Sequence, residues 1–165
     1  MIAPGRFAII SFLLAILVGC STLDSGTEEE LQRAVAARAN DEGYVLTPIA
    51  DSRLPEGKCG MILWTLEQDR PAAVFRYVSE GNASLAINGA PVILQRTNAE
   101  GSQAFGVAEN QSFSDETGLF DIEITAQLGL GFDGGVYLER GLITIENKDG
   151  WRTVTPVAGI AGCRG

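Results

Sequence analysis

Hydrophobic and polar positions alternate with a period of two over residues 120–125, where Phe120, Ile122 and Ile124 interleave with Asp121, Glu123 and Thr125. Successive side chains of a strand point to opposite faces, so this segment predicts a β-strand with one buried and one wet face. Val136 and Leu138 keep the even phase, whereas Ile143 and Ile145 occupy odd positions, with Gly141 between the two sets. A change of phase at a glycine inside one apolar run predicts a β-bulge at Gly141. Residues 61–66 and 72–79 are apolar runs separated by Glu67-Gln68-Asp69-Arg70-Pro71 and predict a hairpin. Residues 84–87 and 91–96 flank Asn88-Gly89, a pair that tolerates the positive φ of a type I′ turn and so predicts a second, tighter hairpin. Phe132-Asp133-Gly134-Gly135 reads as a glycine-permitted turn rather than a phosphate loop, because no helix follows it. A last strand over 151–157 follows the turn Asn147-Lys148-Asp149-Gly150. Roughly seven or eight short strands punctuated by turns predict a single small antiparallel β-barrel or sandwich.

Upstream of this region the pattern changes. Thr27 and Glu30 form a capping box, Glu28 and Glu29 complement the helix dipole, and Gly43 is a natural stop. Leu31, Ala34, Val35 and Arg38 follow the i, i+3, i+4, i+7 spacing of one helix face. One short helix is therefore expected before the β-region, lying on the domain or spacing it from a membrane. Residues 43–57, with Pro48 and Pro55, read as extended connecting chain. At the start of the chain, Arg6 precedes an apolar segment over 7–18 interrupted only by Ser11. That layout suits a secretory signal and is too short to span a bilayer core.

The segment ends in Leu17-Val18-Gly19-Cys20, which resembles the lipobox of bacterial lipoproteins. The resemblance implies cleavage before Cys20, a diacylglycerol on its thiol and an acylated new amine. With about 0.8 kcal/mol per buried CH₂, two or three chains hold a domain on a membrane where one would not. Ser21, in place of the Asp that retains such proteins at the inner membrane, implies the outer membrane of a Gram-negative bacterium, facing the periplasm. The organisation expected is a lipoprotein signal peptide at 1–19, a tether, short helix and linker at 20–57, and a β-domain at 58–165. With Cys20 lipidated, Cys59 and Cys163 remain as an even pair in an exported chain, and a disulfide between them is expected. A redox or metal-binding pair would need C-x-x-C spacing or further ligands, and the sequence has neither.

Composition narrows the chemistry. The chain has no histidine, which removes Ser-His-Asp and Cys-His nucleophiles, His-ligated zinc and imidazole bases. Asp115-Glu116 and Asp121 with Glu123 are the nearest approach to paired carboxylates, but acid alternating with apolar residues reads as a solvated strand face, and no calcium-loop spacing occurs. No enzymatic activity and no cofactor are expected. Trp64 and Trp151 fall in predicted strands, where core packing is the expectation. A net charge of −9 repels nucleic acid and anionic headgroups, so the partners expected are the membrane, through the lipid, and a basic protein.

A second resemblance lies in residues 76–105. Ser84-Leu85-Ala86-Ile87-Asn88-Gly89 running into Val92-Ile93-Leu94, then Ala99-Glu100-Gly101-Ser102-Gln103-Ala104-Phe105, is similar to the central strands of the membrane-bound inhibitors of c-type lysozyme. That family implies a small antiparallel barrel with a cysteine near each end and an inhibitory loop of S-G-x-K/R-Y type. Here Glu100 stands before the glycine, Ala104 replaces the basic residue and Phe105 is the aromatic, so the inhibitory residues do not carry over. The reading is a membrane-anchored envelope lipoprotein with a non-enzymatic binding or structural role. The alternatives are a lysozyme-inhibitor-like barrel and a small-ligand carrier, for which an eight-stranded barrel has about the right interior.

Overall fold

Alternating segments form strands, and each strand pairs with the next. The computed structural model describes residues 43–66 and 70–165. The signal segment, Cys20 and the predicted helix over 27–42 lie outside them. The elements are β1 (Leu46–Thr47), β2 (Cys59–Thr65), β3 (Ala73–Val78), β4 (Ala83–Ile87), β5 (Ala90–Ala104), β6 (Val107–Asp115), β7 (Phe120–Phe132), β8 (Gly135–Asn147) and β9 (Arg152–Cys163). From β2 onward each strand is antiparallel to its neighbour, and β9 returns to pair with β2, closing an 8-strand barrel. Of the barrel and the sandwich, it is the barrel that forms, and closure leaves none of these strands as a free sheet edge. β1 pairs with β4 through Leu46↔Ile87 and Thr47↔Ala86, beyond the point where β3 leaves that strand.

The inward positions fill the interior. Leu63, Phe75, Leu85, Leu94, Phe113, Ile122, Ile143 and Val157 are almost solvent-free and belong to one packed cluster. Each such side chain contributes about 1.5–3 kcal/mol by leaving water. Phe113 lies edge-on to both Phe75 and Tyr77, with centroids 5.3 and 5.4 Å away. Charged side chains such as Asp121, Glu123, Glu146 and Arg152 face outward. This polarity is the reverse of a barrel embedded in lipid.

Local devices set the register. Asn88 and Gly89 take φ of 49° and 82°, as the type I′ turn requires. The β8–β9 register shifts between Leu138 and Gly141, so Leu138 and Ile143 both face the core despite their opposite parity. Two tryptophans depart from the expectation of core packing. Trp64 falls between the inward residues Leu63 and Thr65 and so faces outward, half-buried. Trp151 precedes β9, is 45% exposed, and packs edge-on against Tyr44. The polar stretch 95–104 and residues 107–115 are strand where hydrophobic alternation is weak, because a hairpin is held by its backbone ladder.

The barrel has two unlike ends. At one, Tyr44 is 4% exposed and plugs the interior, edge-on to Phe120, with its hydroxyl accepting from Asn147 Nδ2 at 2.7 Å. The chain then runs as a strap along the outside of β3 and β2. Arg76 donates to Asp51 at 2.6 Å and to the Arg53 carbonyl at 3.0 Å, and Arg164 donates to the Leu54 carbonyl at 3.0 Å. The strap ends at the other rim, where Cys59 and Cys163 face each other in the β2–β9 ladder and are joined by a disulfide. Every barrel strand, the plug, the strap and this bond lie within residues 43–165.

Reducing the disulfide should lower the unfolding free energy by about 2–4 kcal/mol, read as a shift in the denaturant midpoint. A Cys163→Ser variant with the midpoint of the oxidised parent would show that the staple does not stabilise the fold.

Candidate functional site: the disulfide end of the barrel

Three connections gather at the rim that carries Cys59 and Cys163: residues 79–82 after β3, the β5–β6 turn and the β7–β8 turn. The β5–β6 hairpin is built from alternating registry interrupted twice. Its ladder shifts between Arg96 and Asn98 and again between Glu100 and Gln103, and bulges of this kind increase twist and bend the ribbon. Residues 99–105, which the lysozyme-inhibitor resemblance implies as a loop, are therefore the outer arm and tip of a strand hairpin. Glu100 and Ser102 are exposed on it, with Asn98 Nδ2 donating to Glu100 at 2.9 Å.

The tip is a two-residue turn in which Phe105 and Gly106 have φ of 54° and 77°. Glycine suits its position because a Cβ there would lie 1.9 Å from Ser79 Oγ. Phenylalanine does not suit its own: a left-handed backbone costs a side-chain-bearing residue roughly 1–2 kcal/mol. The residue is nonetheless 36% exposed. Arg96 holds the turn from below, donating to the Gly106 carbonyl at 2.8 Å and to Gln111 Oε1 at 3.1 Å. The same guanidinium sits 5.0 Å over the Tyr77 ring, a cation–π contact that closes this end of the core. Gln111, buried, donates onward to Met61 Sδ at 3.7 Å.

Beside the tip the wall opens. The β6–β7 ladder ends at Asn110↔Thr125, while the β5–β6 and β7–β8 hairpins both continue past it. The resulting notch of about 320 Å³ is lined by Glu109, Asn110, Thr125, Gln127 and Arg140. Glu109 bridges the two hairpins. Its carboxylate accepts from the Ser102 N–H at 3.2 Å, from the Ser102 hydroxyl, and from the Leu128 N–H at 3.5 Å. These donors, the Ser102 backbone first, favour the charged form and hold its pKa below the ordinary carboxylate value.

Of the other acidic candidates, Asp115 alone is buried. It accepts from Phe120 N at 2.7 Å, Thr117 N at 3.0 Å and the Thr117 hydroxyl, which orders the β6–β7 turn. Glu123 lies on the outer face 3.8 Å from Arg152. Asp133 and Gly134 form the turn expected of them, with Gly134 at φ 81°. Among the described residues no group of three His, Cys, Asp or Glu side chains could hold a metal. The composite rim of Phe105, Arg96 and Glu109 has little sequence signal, since it depends on bulges in polar stretches. No family model matches the chain, and no curated protein or solved structure matches it.

Two outcomes follow from this geometry. Gly106→Ala should destabilise the barrel by more than about 1 kcal/mol, seen in the denaturant midpoint. The Glu109 contribution is fully present above its unfolded pKa, about 4.5, and is lost as pH falls through the lower folded value. Glu109→Gln should therefore weaken the fold at neutral pH and converge on the parent in acid, and parallel stability–pH curves would contradict this.

Proposed function

We propose that this chain is a lipid-anchored, non-enzymatic binding protein of the Gram-negative outer membrane, facing the periplasm, and that it recognises a protein partner through the tip of the β5–β6 hairpin. The observation that carries the reading is Phe105, an exposed aromatic held in a left-handed conformation that Asn or Gly would adopt without strain. Strain of this kind persists where the surroundings over-determine it, and it clusters at contact sites. The described chain begins at Gly43, beside the Tyr44 plug, so a tether from Cys20 joins the end of the barrel remote from the tip. The packed interior favours recognition by the outer surface over carriage of a ligand within. A net charge of −9 steers the approach of a basic partner and makes the encounter salt-sensitive.

Phe105→Asn separates folding from binding, because Asn tolerates the turn while removing the ring. The variant should match or exceed the parent's thermal midpoint, since the left-handed strain is relieved, and lose the envelope partner that the parent captures by cross-linking. Retention of the same partner would remove the tip from the binding surface. Mass spectrometry of the membrane fraction should find a mature chain beginning at lipid-modified Cys20, and Cys20→Ser should release the protein. A soluble chain still beginning at Met1 would overturn the anchor.

The lysozyme-inhibitor reading draws on the same hairpin. Glu100 would bring a third carboxylate to a cleft built around two, where repulsion or protonation opposes entry. Micromolar soluble domain at physiological salt should leave c-type lysozyme turnover essentially unchanged. Stoichiometric inhibition lost on mutating Glu100 or Ser102 would reverse that ranking.

A further inference from the structure

Between Val154 and Gly162 the outward positions of β9 are Val154, Pro156, Ala158, Ile160 and Gly162, an uncharged row on a face that would ordinarily be polar. Ile160 is the register partner of Ile62 on one side and of Tyr137 on the other, so the row widens toward the disulfide end. The strap bounds it on one flank with Leu54, and Phe132 of the β7–β8 turn bounds it on the other. Between them lies a groove of about 510 Å³ with a mostly apolar lining, a volume in the range of small-molecule sites. Its lining includes Arg53 and Arg164 against one acidic residue, Asp133; the Arg53 charge also acts on Asp51, and Arg164 donates to the Leu54 carbonyl. On a chain of net charge −9, that local balance is inverted.

The ladder decides what kind of ligand fits. β2 is paired with β3 and β9, and β9 with β8 and β2, so the strands flooring the groove have no free edge. An extended peptide could not add to this sheet and would leave its own amides unmatched on an apolar floor. A single hydrocarbon chain needs no such partners.

We propose that the groove binds a single-chain carboxylate amphiphile, with the chain laid over Ile62 and Ile160 between Leu54 and Phe132 and the carboxylate at Arg53 and Arg164. This site is separate from the hairpin tip and does not depend on the partner reading.

Decanoate, kept below the concentration at which it forms micelles, is titrated into isotope-labelled chain beginning at Ser21. Saturable amide shifts confined to Leu54, Ile62, Phe132, Ile160 and their neighbours are expected. Decyltrimethylammonium has the same chain and is drawn to the acidic surface, so it is the stringent control. It should bind about tenfold or more weakly. Arg53→Gln should weaken decanoate about threefold to tenfold. Ile160→Glu, with an unchanged circular dichroism spectrum, should abolish saturation. Equal affinity for the two amphiphiles, shifts that do not saturate, or unaltered binding by Ile160→Glu would each overturn the proposal. If Ile160→Glu fails to fold, the comparison of the two amphiphiles on the unaltered chain still decides it.

Discussion

Everything in this fold waits on the seam where β9 meets β2, because seven of the barrel's ladders join sequence neighbours and this one joins Cys59 to Cys163 across a separation of 104 residues. Contacts of such separation are entropically the most costly to form, since the intervening chain must be ordered before they contribute. On the β9 side, from Val157 to Gly162, the side chains are small or aliphatic and let the backbones approach closely. Gly159 has Ile62 O only 2.2 Å from where a Cβ would stand, so a side chain at that position would lift β9 from β2. The disulfide sits at the end of the same ladder and fixes its register. The shallow relief that permits close pairing also leaves the outer face of the seam bare of polar groups, and there the strap, Phe132 and the two arginines enclose a groove. Closure and groove therefore have one cause.

The two ends of the barrel solve the same exposure problem differently. At the Tyr44 end, the buried ring is wedged among Phe120, Trp151 and Asn147, an apolar plug with one satisfied hydroxyl. At the disulfide end no ring is inserted from outside. Arg96 lies across Tyr77 and spends its donors on Gly106 and Gln111, so the cap is made of the same atoms that hold the hairpin tip. A planar guanidinium does this where an ammonium could not, since it stacks and donates in fixed directions at once. Changes at the tip are consequently felt by the core through Arg96, whereas changes near Tyr44 are remote from it.

Where side chains alternate against a core, the sequence was readable. The strand over 120–125, the phase change at Gly141, the Asn88-Gly89 turn and the pairing of Cys59 with Cys163 each follow from one local rule, and each is present. The rim was not readable. Residues 95–104 carry no apolar alternation, because beyond Leu94 that arm has β6 alone as neighbour and solvent on both faces. Its strand state comes from backbone pairing, which leaves no mark on side-chain pattern. Trp151 misled for a related reason: propensity places a tryptophan in a strand but does not say which residue begins it, and a one-residue shift turns every side chain to the other face. The groove depends on a strap folding back over β2, a contact between segments that no periodicity links.

Charge gives the last connection between fold and recognition. The chain has 12 basic and 21 acidic residues, and several of the basic ones are committed to holding segments together. Arg76 and Arg164 fasten the strap through backbone carbonyls, and Arg96 fastens the hairpin tip. The clamp at Arg76 is imperfect, since its Nε is buried without an acceptor, a cost of about 1–3 kcal/mol by the usual scale for an unsatisfied donor. Carboxylates such as Asp121, Glu116 and Glu146 have no comparable structural duty and face water. The surface potential is therefore set by acids left over after the arginines have been used. At physiological salt that potential decays over about 8 Å, which confines its influence to close approach. Long-range attraction brings a cation to the barrel without choosing a spot on it. On the proposed reading, selection falls to features that break the acidic background, and the described residues hold two: an uncharged aromatic turn at Phe105 and an apolar groove on the seam lined by Arg53 and Arg164.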